Sequence, residues 1–451
     1  MTDKKSLFGT SGIRGHAEDL FTEQFCIDIA SSFIEFLKRK SLLGPIAVGL
    51  DPRPSSPRIK LDLMKGLGAA QVPLFDEGIT PIPSMNWLMK NTEVAAGIMI
   101  TGSHIDIELN GVKFYAHDEE ISVEDQNDIE EIYYEIQNKE KPEMVKAVVT
   151  NEDRAKKMYG GHLKSLVDGP LPQWRVAVDC ANGAQSVVMP QLLRDLGLRV
   201  LEVNCNPEGA NFIARDTDTD DKAGIEDLKK AVKDEGQDFG IAFDGDGDRV
   251  VFVDEKGEFV QGEYSCSLIA KETPDHEVVT TISASQVVDE IGKKIVRTKV
   301  GSPYVVGKMK ELGVSFGFEP NGGAIFGDYM YTRDGGTMTI KMLNLFAKRN
   351  HRPFSELIGE LPKYYMSRTK VDYKWELKDK IIEGAKEKFK GVKVEEVDGL
   401  KIWVDNNTWI LFRSSANAPE FRVFAESKTE AKSQKLLEDG IAYVNEMISN
   451  G

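Results

Sequence analysis

Ser103 and His104 are the residues whose types and position point most directly to chemistry. They follow an apolar segment, residues 95–100, that predicts a buried strand, and Thr101 and Gly102 end it in a small-residue turn. Enzymes of the α/β class place reacting groups on turns at the carboxyl ends of strands. We therefore predict that Ser103 is a nucleophile. A hydrolase triad stays an alternative for the Ser-His pair, although this segment lacks the Gly-x-Ser-x-Gly elbow.

A second apolar segment, residues 240–243, ends in three carboxylates that alternate with glycines: Asp244, Asp246 and Asp248. Alternation places the three side chains on one side of an extended loop, where their oxygens suit Mg²⁺. An EF-hand calcium loop is excluded, because its sixth position would be Arg249 instead of glycine and an apolar run, residues 250–253, follows it. The pattern predicts a magnesium site.

Three other polar segments are weaker signals, each also compatible with an ordinary turn. Arg14 lies among glycines in residues 9–15, where it is expected near an anion. Glu319 and Asn321 alternate in a turn and are suited to grip the hydroxyls of a sugar. A further turn carries four residues that suit a phosphate: Arg413, Ser415, Asn417 and Arg422. The acidic run at residues 215–221 is interpreted as a solvated loop.

Composition is ordinary for a globular protein, and a cytoplasmic enzyme is the default expectation. The chain has 451 residues, 41% hydrophobic and 29% charged, with a net charge of −16. This charge argues against non-specific nucleic-acid binding, and no apolar run is long enough to span a membrane. The four widely spaced cysteines predict neither a zinc site nor a disulfide framework. We expect a cytoplasmic protein that is a monomer or a homodimer.

Strand-like segments and their loops recur along the chain. The order strand, helix, strand, strand occurs three times, which predicts three similar mixed-sheet α/β domains followed by a small α+β domain. In the third repeat we assign residues 313–318 to the second strand. Polar stretches between patterned segments place the four predicted domains at residues 1–150, 151–255, 256–368 and 369–451.

These motifs, in this order, resemble those of the α-D-phosphohexomutases, which include phosphomannomutase/phosphoglucomutase and phosphoglucosamine mutase, and archaeal-type members look most similar. The resemblance covers nearly the whole chain. It rests on residues 7–15, 101–104, 244–249, 319–323 and 413–422, and residues 297–301 and 361–365 also fit.

The resemblance implies a heart-shaped, four-domain enzyme with a central cleft that binds a sugar phosphate. Ser103 would carry a phosphoryl group beside Mg²⁺ and pass it to a hexose monophosphate, giving a hexose 1,6-bisphosphate; glucose 1,6-bisphosphate would act as activator. The metal ligands would be Ser103, Asp244, Asp246 and Asp248. Arg14 and Arg249 would add positive field, and either Lys113 or His104 would move the proton. Substrate would be bound by Glu319, Asn321, Gly301, Arg413, Ser415, Asn417 and Arg422.

The chain departs from the family pattern at three loops, with Ile105 and Asp106 after the serine, Ala416 and Ala418 in the last loop, and Ser302 after Gly301. We expect these changes to affect substrate identity and phosphate affinity. The main hypothesis is a mutase for mannose or glucose phosphates. The alternatives are a phosphoglucosamine mutase, a homologue that binds sugar phosphates with weakened catalysis, and a metal-dependent phosphatase.

Overall fold

A computed structural model of the protein describes residues 6–9, 11–137, 148–415 and 419–450. The chain forms two compact units. Unit 1 comprises Met1–Ser265 and Asn321–Ser355, and unit 2 comprises Cys266–Pro320 and Glu356–Gly451. Among the described residues, no helix has the length and apolar character needed to cross a membrane.

The first sheet of unit 1 has seven strands. Six of them follow the order β1-β5-β4-β2-β3-β7, and β6 pairs with the carboxyl end of β5. Its central strands β2 and β4 are parallel and buried at every position, as expected for apolar runs covered by helices on both faces. The elements of this part are β1 (Ile13–His16), α1 (Glu23–Arg39), β2 (Ile46–Leu50), α2 (Ser56–Leu67), β3 (Leu74–Ile79), α3 (Ile82–Asn91), β4 (Ala96–Ile100), β5 (Leu109–Ala116), β6 (Glu119–Glu120), α4 (Val123–Gln137) and β7 (Val149–Asn151).

The second sheet of unit 1 has five strands in the order β12-β11-β10-β8-β9. Strand β10 runs parallel to β8 and antiparallel to β11, so the β10–β11 connection is a tight loop at the carboxyl end of β10. The elements are α5 (Arg154–Ser165), β8 (Arg175–Asp179), α6 (Met189–Asp195), β9 (Arg199–Val203), α7 (Asp220–Ala223), α8 (Glu226–Asp234), β10 (Phe239–Phe243), β11 (Val250–Val253) and β12 (Phe259–Val260).

The next segment continues with α9 (Gly262–Glu272), β13 (Glu277–Thr281), β14 (Lys294–Thr298), α10 (Ser302–Leu312), β15 (Phe316–Glu319), β16 (Gly323–Phe326), β17 (Met330–Arg333), α11 (Gly335–Lys348) and α12 (Phe354–Ile358). In unit 2, β13 pairs in parallel with both β14 and β15. In unit 1, β16 and β17 form an antiparallel pair.

The predicted repeat is present in its three parallel strands, which have the same spatial order each time: β3-β2-β4, β9-β8-β10 and β14-β13-β15. One assignment was wrong. The second strand of the third repeat is β14, and residues 313–318 instead run into β15, its third strand. The error arose because a short 3-10 helix, Gln286–Ile291, replaces the expected long helix between β13 and β14. The sequence interpretation also omitted the helix before each third strand.

The carboxyl-terminal part of unit 2 is an antiparallel sheet in the order β18-β22-β21-β20-β19, which confirms the α+β prediction. Ile410, Phe412 and Val423 on one face of this sheet belong to one apolar core with Leu437 and Val444 of the closing helix. The elements are β18 (Tyr365–Asp372), α13 (Lys378–Lys388), β19 (Lys393–Glu395), β20 (Leu400–Asp405), β21 (Thr408–Ser414), β22 (Glu420–Ser427) and α14 (Glu430–Ser449). The predicted domain limit at residue 368 falls inside β18. The four-domain division itself stays a prediction.

Candidate functional site

Ser103 lies at the carboxyl end of β4, where the sequence placed it, and it is fully buried. Its backbone has a φ of 52°, a left-handed conformation that non-glycine residues rarely adopt. The backbone N–H of Ser103 donates to the Thr101 hydroxyl at 2.8 Å, which fixes this turn. Such local strain is stored where the surrounding structure holds a functional side chain in place.

The loop between β10 and β11 presents the three aspartates, all buried, with carboxylate oxygens within 4.8 Å of one another. The Ser103 hydroxyl donates to Asp244 Oδ2 at 3.0 Å. Ser103 of the first sheet and the carboxylates of the second therefore meet in one site of unit 1.

Cationic side chains surround the aspartates. Lys113 Nζ is 3.2 Å from Asp246 Oδ2, and it is almost fully buried. Arg249 Nε lies 3.7 Å from Asp244 Oδ2 and 3.6 Å from Asp248 Oδ1. Arg333, the last residue of β17, was not predicted from the sequence, and it binds Asp248 Oδ2 at 2.6 Å. Three positive groups thus offset the charge of three buried carboxylates.

The environment separates the pKa values of the aspartates. Burial, with the charges of Asp246 and Asp248, raises the pKa of Asp244 well above its ordinary value. Burial also acts to raise the pKa of Asp246, but Lys113, Arg333 and Arg249 outweigh it and hold this pKa below its usual range. The loop therefore keeps a charged carboxylate beside one that is more easily neutralised.

The aspartate loop fits a divalent cation. Oδ1 of Asp246 is buried and accepts no hydrogen bond from the residues described, and Oδ1 of Asp248 has only the longer contact with Arg249 Nε. Buried oxygens left without donors are costly unless another positive group binds them. Clustered carboxylate oxygens are the ligand type that Mg²⁺ prefers, so the residues present match the predicted ion.

His104 and Arg14 also belong to this site. His104 Nδ1 is 3.2 Å from the Ser103 hydroxyl. Burial and the nearby Arg249 and Arg14 charges lower the pKa of His104 well below its ordinary value, so its imidazole is neutral near pH 7. Arg14, on β1, has its pKa lowered by burial and by Arg249, and its Nε is buried without a hydrogen-bond acceptor among the described residues. The structure brings all eight predicted catalytic and metal residues together.

Arg53 binds the turn that carries Ser103, called the serine turn, and it was not predicted from the sequence. Its guanidinium is fully buried and donates to four backbone carbonyls, those of Ser103, Ile105, Asp106 and Leu109, at 2.6–2.9 Å. Its charge is offset by Asp51, with Nε and Oδ2 3.2 Å apart. A sequence signal existed, because Asp51 and Arg53 follow β2, the neighbour of β4 in the sheet.

Asn321 lies next to the start of β11 in unit 1. The Gly322 carbonyl accepts from the Val250 N–H at 3.2 Å, and the Asn321 carbonyl accepts from the Thr217 hydroxyl at 2.6 Å. The latter bond corrects the interpretation of residues 215–221 as a solvated loop. Arg215 and Thr217 are fully buried, and Arg215 pairs with Asp179 at 2.7 Å, whereas Asp220 and Asp221 are exposed as expected.

Unit 2 holds the other predicted substrate residues. Asp398 connects two of the predicted loops: its Oδ2 accepts from the Val300 N–H at 3.1 Å and from Arg413 Nε at 2.5 Å. Gly301, with a φ of 134°, caps α10 beside this contact. Arg413 is paired with Arg422 across β21 and β22, so both side chains leave the same face of the sheet.

Glu319 and Ser415, the remaining predicted residues of unit 2, are both buried. Glu319 ends β15, and the Ser415 N–H donates to the Glu420 carbonyl at 2.8 Å. Asn417, Ala416 and Ala418 lie outside the described residues.

Comparison with protein families decides the relationship. Three family models match the chain: phosphoglucomutase/phosphomannomutase α/β/α domain I at residues 5–140, domain II at residues 159–257 and domain III at residues 261–365. The chain belongs to the α-D-phosphohexomutase family. A relative from Thermococcus kodakarensis, named phosphoglucomutase/phosphomannomutase, is 36% identical and covers 98% of this chain and 99% of its own. A relative from Methanopyrus kandleri, named probable phosphoglucosamine mutase, is 31% identical over 98% of both chains.

Solved structures share the fold. A phosphoglucomutase/phosphomannomutase family protein from Burkholderia thailandensis has a TM-score of 0.84 with 23% identity, covering 98% of each chain. N-acetylphosphoglucosamine mutase from Aspergillus fumigatus, solved with GlcNAc-6P and magnesium, has a TM-score of 0.64 with 14% identity, covering 99% of this chain and 97% of its own. At these identities the likeness concerns the fold.

Proposed function

We propose that this phosphohexomutase interconverts hexose 1-phosphate and hexose 6-phosphate through phosphorylated Ser103. The observation that carries the proposal is the hydrogen bond of 3.0 Å between the Ser103 hydroxyl and Asp244. It joins the nucleophile to the carboxylate cluster at the position where a phosphoryl group on Ser103 would reach a bound cation. A solvated serine on an ordinary turn would have no such partner.

In the proposed reaction, the bond between Ser103 Oγ and phosphorus breaks as a hydroxyl oxygen of the hexose monophosphate bonds to the same phosphorus. The product is a hexose 1,6-bisphosphate, which reorients and returns its other phosphoryl group to Ser103. Glucose 1,6-bisphosphate would activate the enzyme by phosphorylating Ser103. Either Lys113, held by Asp246, or His104, beside Ser103, takes the proton of the attacking hydroxyl.

Mg²⁺ held by Asp244, Asp246 and Asp248, with Ser103 contributing an oxygen, would neutralise charge on the transferring phosphoryl group. Arg14 and Arg249 add positive potential at the same place, supported by their effect on the pKa of His104. Because these groups are fixed before substrate arrives, no reorganisation is needed during transfer.

The phosphate that does not react is proposed to bind Arg413, Ser415, Asn417 and Arg422 beside Gly301, while Glu319 and Asn321 bind sugar hydroxyls. The residues that supply binding energy are therefore different from those that contact the transferring phosphoryl group. We propose mannose or glucose phosphates as substrates. Glucosamine 6-phosphate is the alternative, favoured by the Methanopyrus kandleri relative.

The test is ³¹P NMR of the protein with Mg²⁺, a trace of glucose 1,6-bisphosphate, and glucose 1-phosphate, mannose 1-phosphate or glucosamine 1-phosphate in separate samples. We expect conversion to the 6-phosphates, and the sugar phosphate that is converted fastest is the preferred substrate. In Ser103→Ala, transfer should vanish while the fold is kept. Inorganic phosphate as the main product would favour the phosphatase, and a folded protein without turnover would favour a weakened homologue. The cytoplasmic location and the monomeric or homodimeric state stay predictions.

A further inference from the structure

Two cysteines far apart in sequence come together behind the metal loop. Cys180 follows β8 and Cys205 follows β9, and these strands are parallel neighbours with Asp179 in register with Val203. Cys205 is near enough to contribute to the raised pKa of the Cys180 thiol, and the two cysteines are not joined by a disulfide. Cys205 also contacts the Val178 and Val203 carbonyls, with its Sγ 3.2 and 3.3 Å from their oxygens.

The two thiols differ in their exposure to solvent. Cys180 is fully buried, whereas Cys205 is partly exposed. Burial, followed by contact with Cys205, raises the pKa of the Cys180 thiol well above its ordinary value, so Cys180 is protonated at rest. Thiol oxidation follows access and thiolate character, which makes Cys205 the first target of an oxidant and Cys180 the second thiol.

We propose that Cys180 and Cys205 form an oxidisable pair whose disulfide lowers mutase activity by displacing the metal loop. Cys205 thiolate attacks hydrogen peroxide, breaking the O–O bond and giving a sulfenic acid and hydroxide. Cys180 sulfur then attacks the Cys205 sulfur and displaces its hydroxyl, which leaves as water with the Cys180 proton. Two thiols and one peroxide give one disulfide and two waters.

The pair can act on the loop because the turn that begins at Cys180 supports it. The Ala184 N–H donates to the Gly245 carbonyl at 2.9 Å, and Gln185 Nε2 donates to the Gly247 carbonyl at 3.0 Å. The two segments touch so closely that a Cβ at Gly183 would lie 2.5 Å from the Gly245 oxygen.

A disulfide would move this support. The bond draws its sulfurs to about 2.0 Å, much closer than the sulfurs of two thiols that are not bonded to one another. The Cys180 backbone also has little freedom to yield, since Ala181 and Asn182 both have left-handed conformations and Asn182 N–H donates to the Asn204 carbonyl at 2.6 Å. The displacement is therefore transmitted to Gly245 and Gly247, between the aspartates.

The first test is chemical and does not need the mutase reaction. The full-length protein is treated with a small excess of hydrogen peroxide, remaining thiols are blocked with N-ethylmaleimide, and peptides are mapped by mass spectrometry without reduction. We expect a peptide pair joined through Cys180 and Cys205, lost on reduction with dithiothreitol. Cys205 oxidised only to sulfenic or sulfinic acid, with Cys180 alkylated, would overturn the proposal.

The second test concerns activity and rests on the proposed function. Peroxide should reduce turnover at least five-fold in wild type, and dithiothreitol should restore it. Cys205→Ser should turn over like untreated wild type and resist peroxide, whereas the control Cys266→Ala, outside the pair, should remain sensitive. Equal inactivation of Cys205→Ser, or a complete disulfide with unchanged turnover, would overturn the regulatory step. Absence of turnover in every untreated sample would instead count against the mutase, leaving the disulfide measurement intact.

Discussion

The serine–aspartate site of unit 1 consists of Ser103 and the three aspartates, and the arginine face of unit 2 is the sheet face that carries Arg413 and Arg422. The two regions are built in opposite ways. In unit 1, Ser103, Lys113 and the aspartates are nearly inaccessible, and several polar groups hold each of them. In unit 2, the Arg422 side chain is 38% exposed and its ion pair with Glu420 is 3.5 Å long. The first region is fixed in advance, whereas the second keeps a cation available to solvent.

This difference matches the two tasks that we propose. Phosphoryl transfer is the same chemistry for every hexose phosphate, and it gains from groups fixed before the reaction. The site for the distant phosphate must release its ligand and accept two orientations of the bisphosphate, so a partly exposed cation such as Arg422 serves it better. If this comparison is right, substitutions in unit 1 lower kcat, and substitutions on the arginine face raise KM.

The largest effect is expected from Asp244→Asn. Loss of one ligand charge should lower kcat by about three powers of ten, or ~4 kcal/mol of transition-state stabilisation. Because burial and its neighbours raise the pKa of Asp244, the neutral amide should change the melting temperature without Mg²⁺ only slightly. Asp216→Asn, in the acidic run outside the triad, is the control and should keep wild-type kcat. A variant that keeps wild-type kcat and Mg²⁺ dependence would remove Asp244 from the metal site.

Arg53→Met should have the next largest effect, on stability and turnover together. It removes four hydrogen bonds to the serine turn and leaves Asp51 buried without its cation. Breaking one side of a buried pair costs about 3–5 kcal/mol, which denaturant unfolding would measure. We also expect kcat to fall about ten-fold to a hundred-fold, since a misplaced reacting group loses much of its rate.

Arg58→Met is the matched control for Arg53. Arg58 also donates to two backbone carbonyls, those of Ala17 and Phe21, but its side chain is 38% exposed. Its loss should cost about 1 kcal/mol and leave kcat unchanged. Equal losses in the two variants would show that Arg53 acts on the fold alone and not on the serine turn.

The sequence was sufficient to locate the groups that we propose for the chemistry, but not the groups that hold them in place. Ser103 and the aspartates were found because each group directly follows an apolar strand, so its polar pattern is visible along the chain itself. Arg53 and Arg333 were missed because the carbonyls that Arg53 binds and the carboxylate that Arg333 binds lie on other strands or loops. Cys180 and Cys205 were set aside for their wide spacing, yet parallel pairing of β8 and β9 removes that distance.

The fold was predictable to a similar degree. The strand–helix repeat predicted three α/β segments, and periodicity placed α13, β20, β21 and α14 within a few residues. Strands β18 and β22 were missed because charged and hydroxyl residues interrupt their apolar residues, so neither carries a long apolar run. The buried side of residues 215–221 was hidden by its acidic composition, since Arg215 and Thr217 gain their partners only in the folded chain.

On the arginine face, Arg422→Ala should raise KM for the hexose 1-phosphate about ten-fold and leave kcat within about two-fold, as expected for loss of one phosphate contact. Lys370→Ala tests the neighbouring position. Lys370 is in register with Arg422 on β18 but pairs with Glu420 at 2.5 Å, and its loss should change KM less. A fall in kcat with unchanged KM in Arg422→Ala would contradict the proposed division between the two regions.

The smallest effect on catalysis, with a clear effect on stability, is expected at Lys401 in unit 2. Its side chain is fully buried, its Nζ donates to the Ile282 carbonyl at 3.1 Å, and it lies 3.8 Å from the centroid of the Trp409 ring. Burial, followed by the Arg297 charge, lowers the pKa of Lys401 to about 7. An unfolded lysine has a pKa of about 10.4, so between these values the unfolded chain binds more protons than the folded one.

The free energy of unfolding should therefore gain a contribution that rises from pH 7 to pH 10, because folding must release the proton that the unfolded lysine binds, and this release costs less as the pH rises. The gain is on the order of a few kcal/mol, measured by urea unfolding of wild type against Lys401→Met. The variant should lack this rise, whereas Lys432→Met, which removes a half-exposed lysine, should keep it. Parallel pH profiles for wild type and Lys401→Met would mean that Glu426 keeps Lys401 charged throughout. Both regions would then hold their buried cations charged by carboxylates, and they would differ only in the exposure of the arginine face.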